Sequence, residues 1–499
     1  MSEVKEAREQ REPASVVEES LDPEDWEAMK HLGHRMVDDM MECLRTVRQR
    51  PVWRSVPEEV RARLRRPLPL EPEGAGRAYE DFLRDVLPYP EGNIHPRFWA
   101  WVIGNGTPFA MLAEMLAAGM NPNVGSGDHG ALYVERQTID WCRTMVGFPA
   151  ESSGLLVSGG SMGNLIGLAV ARNAMAGYEV RELGLRAAPA ALVLYASSET
   201  HGCVQRAAEL LGLGRAALRT IDVDSEYRVD LAALRRAIAE DRAAGLRPFC
   251  VIGNAGTVNT GAVDDLQAIA DLAAEEGLWL HVDGAIAAPA MMEPSLRPLL
   301  SGLDRADSLA FDFHKWMYLP YEAACVLVRS EAAHRAAFRM QAGYLARADR
   351  GLVAGDPWFS DYGPQLSRGF RALKIWMCLK EHGARKFARL IRQNVDQAAH
   401  LVRLVQADPC LELLAPAPLN IVCFRFTAPG CSGATLDAIN EEILLRLHEE
   451  GIAAPSATRL RGRYAIRVAI TNHRSRREDF DLLAREVVRL GREVLRARG

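Results

Sequence analysis

A lysine that loses its proton when desolvated can attack a carbonyl carbon, whereas an arginine stays charged. Lys315 stands in the stretch Ser308-Leu309-Ala310-Phe311-Asp312-Phe313-His314-Lys315-Trp316, which alternates apolar and polar residues as a strand does. The chain has six lysines among 60 Lys and Arg residues, so a lysine in an apolar setting departs from its habit. The competing reading is a strand-end lysine whose stem lies on apolar surface with its ammonium in water.

Four other stretches carry chemistry. Ser158-Gly159-Gly160-Ser161-Met162-Gly163-Asn164 follows an apolar run and opens a helical pattern. Glycines there let backbone N–H groups approach an anion, and the helix start adds partial positive charge, so the turn can cup a phosphate. A tight strand–helix turn with no ligand would read the same way. The stretch has neither the Gly-Lys-Ser of a nucleotide loop nor a dinucleotide fingerprint. Asp283, in His281-Val282-Asp283-Gly284-Ala285, ends an apolar strand, where it can hold a proton on a heterocyclic nitrogen or cap the next helix. His201, in Ser198-Glu199-Thr200-His201-Gly202, can stack on a flat ring or move protons, or can be a structural histidine. Thr257, in Gly253-Asn254-Ala255-Gly256-Thr257, again follows a strand end; a turn residue is its alternative. Cup, imidazole, threonine, aspartate and lysine all fall at strand ends of one sheet, where open α/β folds bind ligands. A phosphorylated, nitrogen-containing aromatic aldehyde, pyridoxal 5'-phosphate, explains them together.

The elements that must position these residues are legible as patterns. Strand candidates at Gly154–Val157, Leu192–Ala196, Phe249–Asn254, Trp279–Asp283, Ser308–Phe313 and Ala324–Val328 alternate with helical patterns at Met162–Met175, Val204–Leu211, Leu231–Ala239, Leu266–Glu275 and Pro294–Leu300. Continuous apolar strands separated by helices predict an α/β fold with a largely parallel sheet covered on both faces. Residues 1–20 are charged and predict a disordered lead-in. Residues 21–94 read as short helices broken by prolines, which must pack on the main body or on a partner subunit. Residues 95–372 form the expected large, cofactor-binding domain, and 373–499 a smaller C-terminal α+β domain. Residues 344–368 read as a long polar loop of the kind that serves as a lid or binding loop.

Composition bounds the rest. A net charge of −5 over 499 residues points to neither nucleic acid nor an anionic membrane. No run approaches 18 apolar residues, and the first 20 residues have no apolar core, so neither a membrane span nor a signal peptide is expected. The nine cysteines include no Cys-x-x-Cys pair, and most lie in apolar runs as buried free thiols do. No metal site is expected. These features predict a cytoplasmic protein.

The order of motifs resembles the group II pyridoxal-phosphate decarboxylases, the family of aromatic-L-amino-acid decarboxylase. The resemblance rests on His95-Pro96-x-Phe98, Ser158-Gly159-Gly160-Ser161, His201, His281-Val282-Asp283-x-Ala285, Phe313-His314-Lys315-Trp316 and Arg368-x-Phe370-Arg371-x-Leu373-Lys374-x-Trp376. It implies the fold-type I architecture, with a mostly parallel seven-stranded sheet and a homodimer paired through the N-terminal helices. Lys315 would condense with the cofactor's aldehyde, Asp283 would pair with the ring nitrogen, and His201 would stack on the ring. Gly160, Ser161 and His314 would contact the phosphate, while Thr257 and Ala285 would contact the cofactor. Tyr344 would protonate the carbon that has lost carbon dioxide; relatives that turn amines into aldehydes tend to carry phenylalanine there. His95, Trp101, Pro108, Phe109 and Arg467 fall on the substrate side. The expected reaction is decarboxylation of an L-amino acid, an aromatic one first. Pro108-Phe109 replaces an expected tyrosine, and Gly125 and Gly127 leave a roomier wall. An aldehyde synthase or an aminotransferase on the same fold is the alternative. A non-catalytic binding protein would be expected to lack Lys315 or Asp283.

Overall fold

The computed structural model describes residues 19–340 and 348–498. Strand β1 (Phe98–Trp99) belongs to a second sheet. The apolar runs that follow it form β2 (Ser153–Val157), β3 (Leu192–Ser197), β4 (Leu218–Ile221), β5 (Arg247–Asn254), β6 (Trp279–Asp283), β7 (Ser308–Asp312) and β8 (Ala324–Val328). They make one seven-stranded sheet in the order β2-β8-β7-β6-β5-β3-β4. All its pairings are parallel except those of β8, which runs antiparallel to β2 and β7.

Every residue of β2, β3, β6, β7 and β8 is buried. Such strands read as unbroken apolar runs because both faces are covered. Polar groups that face a ligand therefore gather at the strand ends. The chain turns there at 158–161, 198–201, 255–257, 283–285 and 313–315, all at one edge of the sheet. β4 is the strand that the six apolar runs miss. It lies at the sheet edge and three of its four residues are not buried, so it has no apolar run to show.

The C-terminal part builds a second sheet from β9 (Leu411–Leu413), β10 (Ile421–Phe426), β11 (Ala454–Leu460) and β12 (Arg463–Ala469), in the order β1-β11-β12-β10-β9. Helices Ala384–Ala407, Gly433–Glu449 and Arg477–Arg498 pack on it. β1 pairs parallel with β11. Trp99 sits in this core and donates from Nε1 to Ser475 Oγ at 3.0 Å. A strand from the start of the expected large domain is thus built into the C-terminal unit. The connection between the two sheets is helical, as the helices Ala372–His382 and Ala384–Ala407. They are separated at Gly383, whose φ of +70° favours glycine. Residues 294–300 are not an α-helix: 3₁₀ turns span Ala288–Met292 and Arg297–Leu300 instead, as the donor-less Pro289 and Pro298 favour.

The N-terminal segment folds as helices Trp26–Arg45, Glu58–Arg63 and Ala75–Asp85. It is tied to the body by Arg48, whose guanidinium meets the buried Asp479 at 2.8 Å. The expected lead-in through residue 18 lies outside the described residues. Among the described residues no helix is long and apolar enough to cross a membrane.

Candidate active site

A cavity of about 640 Å³ opens at the strand-end edge, lined by Ser158–Met162, Asn164, His201, Asp283, Ala285, Asp312, His314 and Lys315 among others. That volume suits a small organic molecule. Gly159 and Gly160 lead into the helix Gly160–Met175. A Cβ at Gly160 would come 2.8 Å from Asp312 Oδ2 and 3.3 Å from the Ala285 Cβ. Only glycine leaves this turn clear, as an anion cradle requires.

Asp283 ends β6, and its carboxylate is fixed by a polarised chain of buried groups. Trp279 Nε1–H donates to Ser308 Oγ at 2.8 Å, and Ser308 Oγ lies 2.8 Å from His281 Nδ1. His281 Nε2 lies 2.8 Å from Asn164 Oδ1, and Asn164 Nδ2 donates to Asp283 Oδ2 at 2.9 Å. Burial pushes the His281 pKa down to about 3, so the ring is neutral. A neutral ring accepts from the serine O–H at Nδ1 and donates from Nε2, and every group in the chain is then satisfied. His281 and Asp283 share a strand face because strand side chains alternate; Asn164 bridges them from the helix above.

Lys315 reaches the same cavity with its Nζ 2.8 Å from Asp312 Oδ2. Burial lowers the lysine pKa, but the carboxylate of Asp312, joined by Asp283 and Cys203, outweighs it and holds the amine above its usual range. The amine expected to be neutral by desolvation is therefore held charged by a neighbour. His201 is exposed to the cavity. Its Nδ1 accepts the Cys203 N–H at 3.2 Å, and burial followed by the Lys315 charge lowers its pKa. A neutral imidazole with a free Nε2–H results. His314 Nδ1 accepts the Ala323 N–H at 3.1 Å, and its ring packs against Tyr321, tilted by 32° with centroids 4.4 Å apart.

The substrate-side expectations divide. Trp101 and Arg467 line the cavity. Arg467 is buried and donates to three backbone carbonyls: from Nε to Asn259 at 3.0 Å, from Nη1 to Trp101 at 2.8 Å, and from Nη2 to Val258 at 2.6 Å. It pins the cavity wall. His95, Pro108 and Phe109 do not line the cavity. His95 is buried between Arg50 O, 3.1 Å from its Nε2, and the Arg97 N–H, 3.0 Å from its Nδ1; Pro108 and Phe109 open the helix Pro108–Met120. Thr257 is buried behind the wall with its hydroxyl 3.1 Å from that of Thr260. Tyr344 lies outside the described residues. Asp312, Asn164 and His281 join the site through tertiary contacts. A carboxylate inside an otherwise apolar strand three residues before Lys315 was the available signal for Asp312; the other two carried none, because only packing brings them to Asp283.

Residues 57–427 match the family model described as "Pyridoxal-dependent decarboxylase conserved domain". The chain is 34% identical to an aromatic-L-amino-acid decarboxylase of Bacillus atrophaeus over 94% of this chain and 96% of that protein. The chain belongs to the pyridoxal-dependent decarboxylase family. It is also 29% identical to a phenylacetaldehyde synthase of Arabidopsis thaliana, over 90% of this chain and 93% of that protein. The Oryza sativa TDC structure solved with PLP and tryptamine superposes with a TM-score of 0.88 at 26% identity, over 95% of this chain and all of that one. This decarboxylase therefore has the fold-type I architecture and is an amino-acid decarboxylase dependent on pyridoxal phosphate. The cavity fits that cofactor: a glycine turn for its phosphate, a carboxylate for its ring nitrogen and an amine for its aldehyde meet in one space.

Proposed function

We propose that this decarboxylase converts an aromatic L-amino acid to its amine and carbon dioxide, as a cytoplasmic homodimer, with Lys315 and Asp283 at the centre of the reaction. The observation that carries the substrate reading is the cavity wall, which includes Trp101, Val102, Met162, Ile286 and Tyr321. Flat and apolar groups of this kind bury a ring better than a charged side chain.

In this reading pyridoxal phosphate supplies, when bound, the electron sink for the pair released with carbon dioxide. Lys315, whose amine reaches the cavity, would hold the cofactor between turnovers. Asp283, held by Asn164, favours a proton on the ring nitrogen, because an adjacent carboxylate stabilises the protonated form. His201 and Ala285, which both line the cavity, would flank the bound ring. Gly160, Ser161 and His314 would hold the phosphate; Thr257, with its hydroxyl engaged by Thr260, supports the wall. Tyr344 delivers a proton to the carbon that has lost its carboxylate.

Homodimerisation is supported by apolar residues left exposed on two helices, Trp26, Met29 and Met36 on one and Met115, Leu116 and Met120 on another. A reducing compartment is supported by the nine cysteines, all unpaired. The reaction is tested with a panel of L-amino acids, measuring amine and carbon dioxide. The proposal expects both from an aromatic substrate. Carbon dioxide with aldehyde and ammonia would favour the synthase, a keto acid without carbon dioxide would favour an aminotransferase, and release from non-aromatic substrates alone would overturn the substrate reading. Sedimentation equilibrium showing a monomer at micromolar concentration would overturn the dimer.

A further inference from the structure

Asp312 ends β7 at 1% exposure. Its carboxylate bridges the glycine turn and the lysine. Oδ1 accepts the Gly160 N–H at 2.7 Å, Oδ2 lies 2.8 Å from Lys315 Nζ, and His314 Nε2 is 3.5 Å from Oδ1. These are the groups assigned above to phosphate and to aldehyde. One buried carboxylate thus occupies both ends of the cofactor's seat.

We propose that Asp312 is a positioning residue that closes the cofactor-free site as an internal ion pair and thereby opposes cofactor loading. The inference rests on the reading of the Ser158–Ser161 turn as the phosphate seat and of Lys315 as the point of attachment. Two physical effects act in the same direction. A phosphate entering the turn meets a carboxylate of like charge in a buried setting, where such repulsion is little screened. Lys315 must also give up its ion pair and its proton before its nitrogen can attack a carbonyl. In return, without ligand, the Gly160 N–H and the Lys315 ammonium each keep a partner, and a buried ion pair broken on one side is costly. The amine is held charged, and so unreactive toward stray aldehydes, until a molecule arrives that can satisfy both ends at once.

The test is cofactor affinity, not turnover. Full-length enzyme is stripped with hydroxylamine, and pyridoxal phosphate is titrated into wild type, Asp312→Asn and Asp312→Ala, followed by visible absorbance and by cofactor retained on desalting. Folding of each variant is checked by its thermal melt. Both variants are expected to bind pyridoxal phosphate at least about tenfold more tightly, a difference of about 1.4 kcal/mol. Inorganic phosphate is expected to compete with the cofactor at lower concentration in both. Affinity unchanged or weakened in both folded variants would overturn the proposal. Borohydride reduction of loaded wild type keeps the two levels apart. A label on another lysine would sink the site reading itself, whereas a label on Lys315 with unchanged variants would sink only the role of Asp312.

Discussion

Lys315 shows how little a residue's type decides without its neighbours. Desolvation favours the neutral amine, yet Asp312 at 2.8 Å holds it charged. The same tension governs His201, whose imidazole burial and the Lys315 charge keep neutral. The proposed selection of product by Tyr344 is tested by Tyr344→Phe, which removes the phenolic proton and leaves the ring. Product is expected to move from amine toward aldehyde, with dissolved dioxygen as the two-electron oxidant and ammonia and hydrogen peroxide as co-products. Quantifying amine and aldehyde from one substrate would decide it, and an unaltered ratio would take Tyr344 out of the chemistry.

At the scale of elements, the helix Gly160–Met175 both ends the glycine turn and carries Asn164 to Asp283. Asn164→Ala leaves the His281 Nε2–H without its acceptor and frees the Asp283 carboxylate. A buried donor left unpaired costs about 1–3 kcal/mol. Both chemical stability and cofactor retention on dialysis should fall, and retention equal to wild type would deny Asn164 a positioning role. A second device ties the segment around Asn123 and Val124 to the sheet. Arg368 is buried against Glu135 at 2.5 Å and also donates to Val124 O and Leu156 O. Burial pushes the Glu135 carboxyl up and Arg368 pulls it down. Arg368→Met strands that carboxylate, with an expected loss of about 3–5 kcal/mol in urea unfolding. Adding Glu135→Leu should recover part of it, because the uncompensated charge is gone.

Across the whole molecule, acid stability follows from buried neutral histidines. His281 and His334 are fully buried, and burial lowers each pKa to about 3. Unfolded, each titrates near 6.5, so between those values the unfolded chain binds more protons. Their contribution is intact above pH 6.5 and is lost as the pH falls toward 3, by about 2 kcal/mol each at pH 5. Glu135 and Asp264, whose carboxyls burial pushes up, act in the opposite sense. Melting temperature is expected to fall between pH 7 and pH 5, and a flat profile over that range would contradict the histidine account.

The amino-acid sequence alone determined the parts governed by local pattern. β6 and β8 coincide with apolar runs that burial on both faces demands, and the glycine turn, Asp283 and Lys315 stand at strand ends, where a polar group can face a ligand. Only the tertiary structure decided what those residues face. Asp312 becomes the partner of both Gly160 and Lys315 because β7 ends beside the turn after β2, 152 residues earlier in the chain. Asn164 reaches Asp283 across 119 residues, and Arg467 pins the wall through carbonyls some 200 residues away. His95, Pro108 and Phe109 carry suggestive side chains but are packed elsewhere. The edge strand β4 and the entry of β1 into the second sheet depend on pairing partners distant in the chain, for which a local hydrophobic pattern has no record.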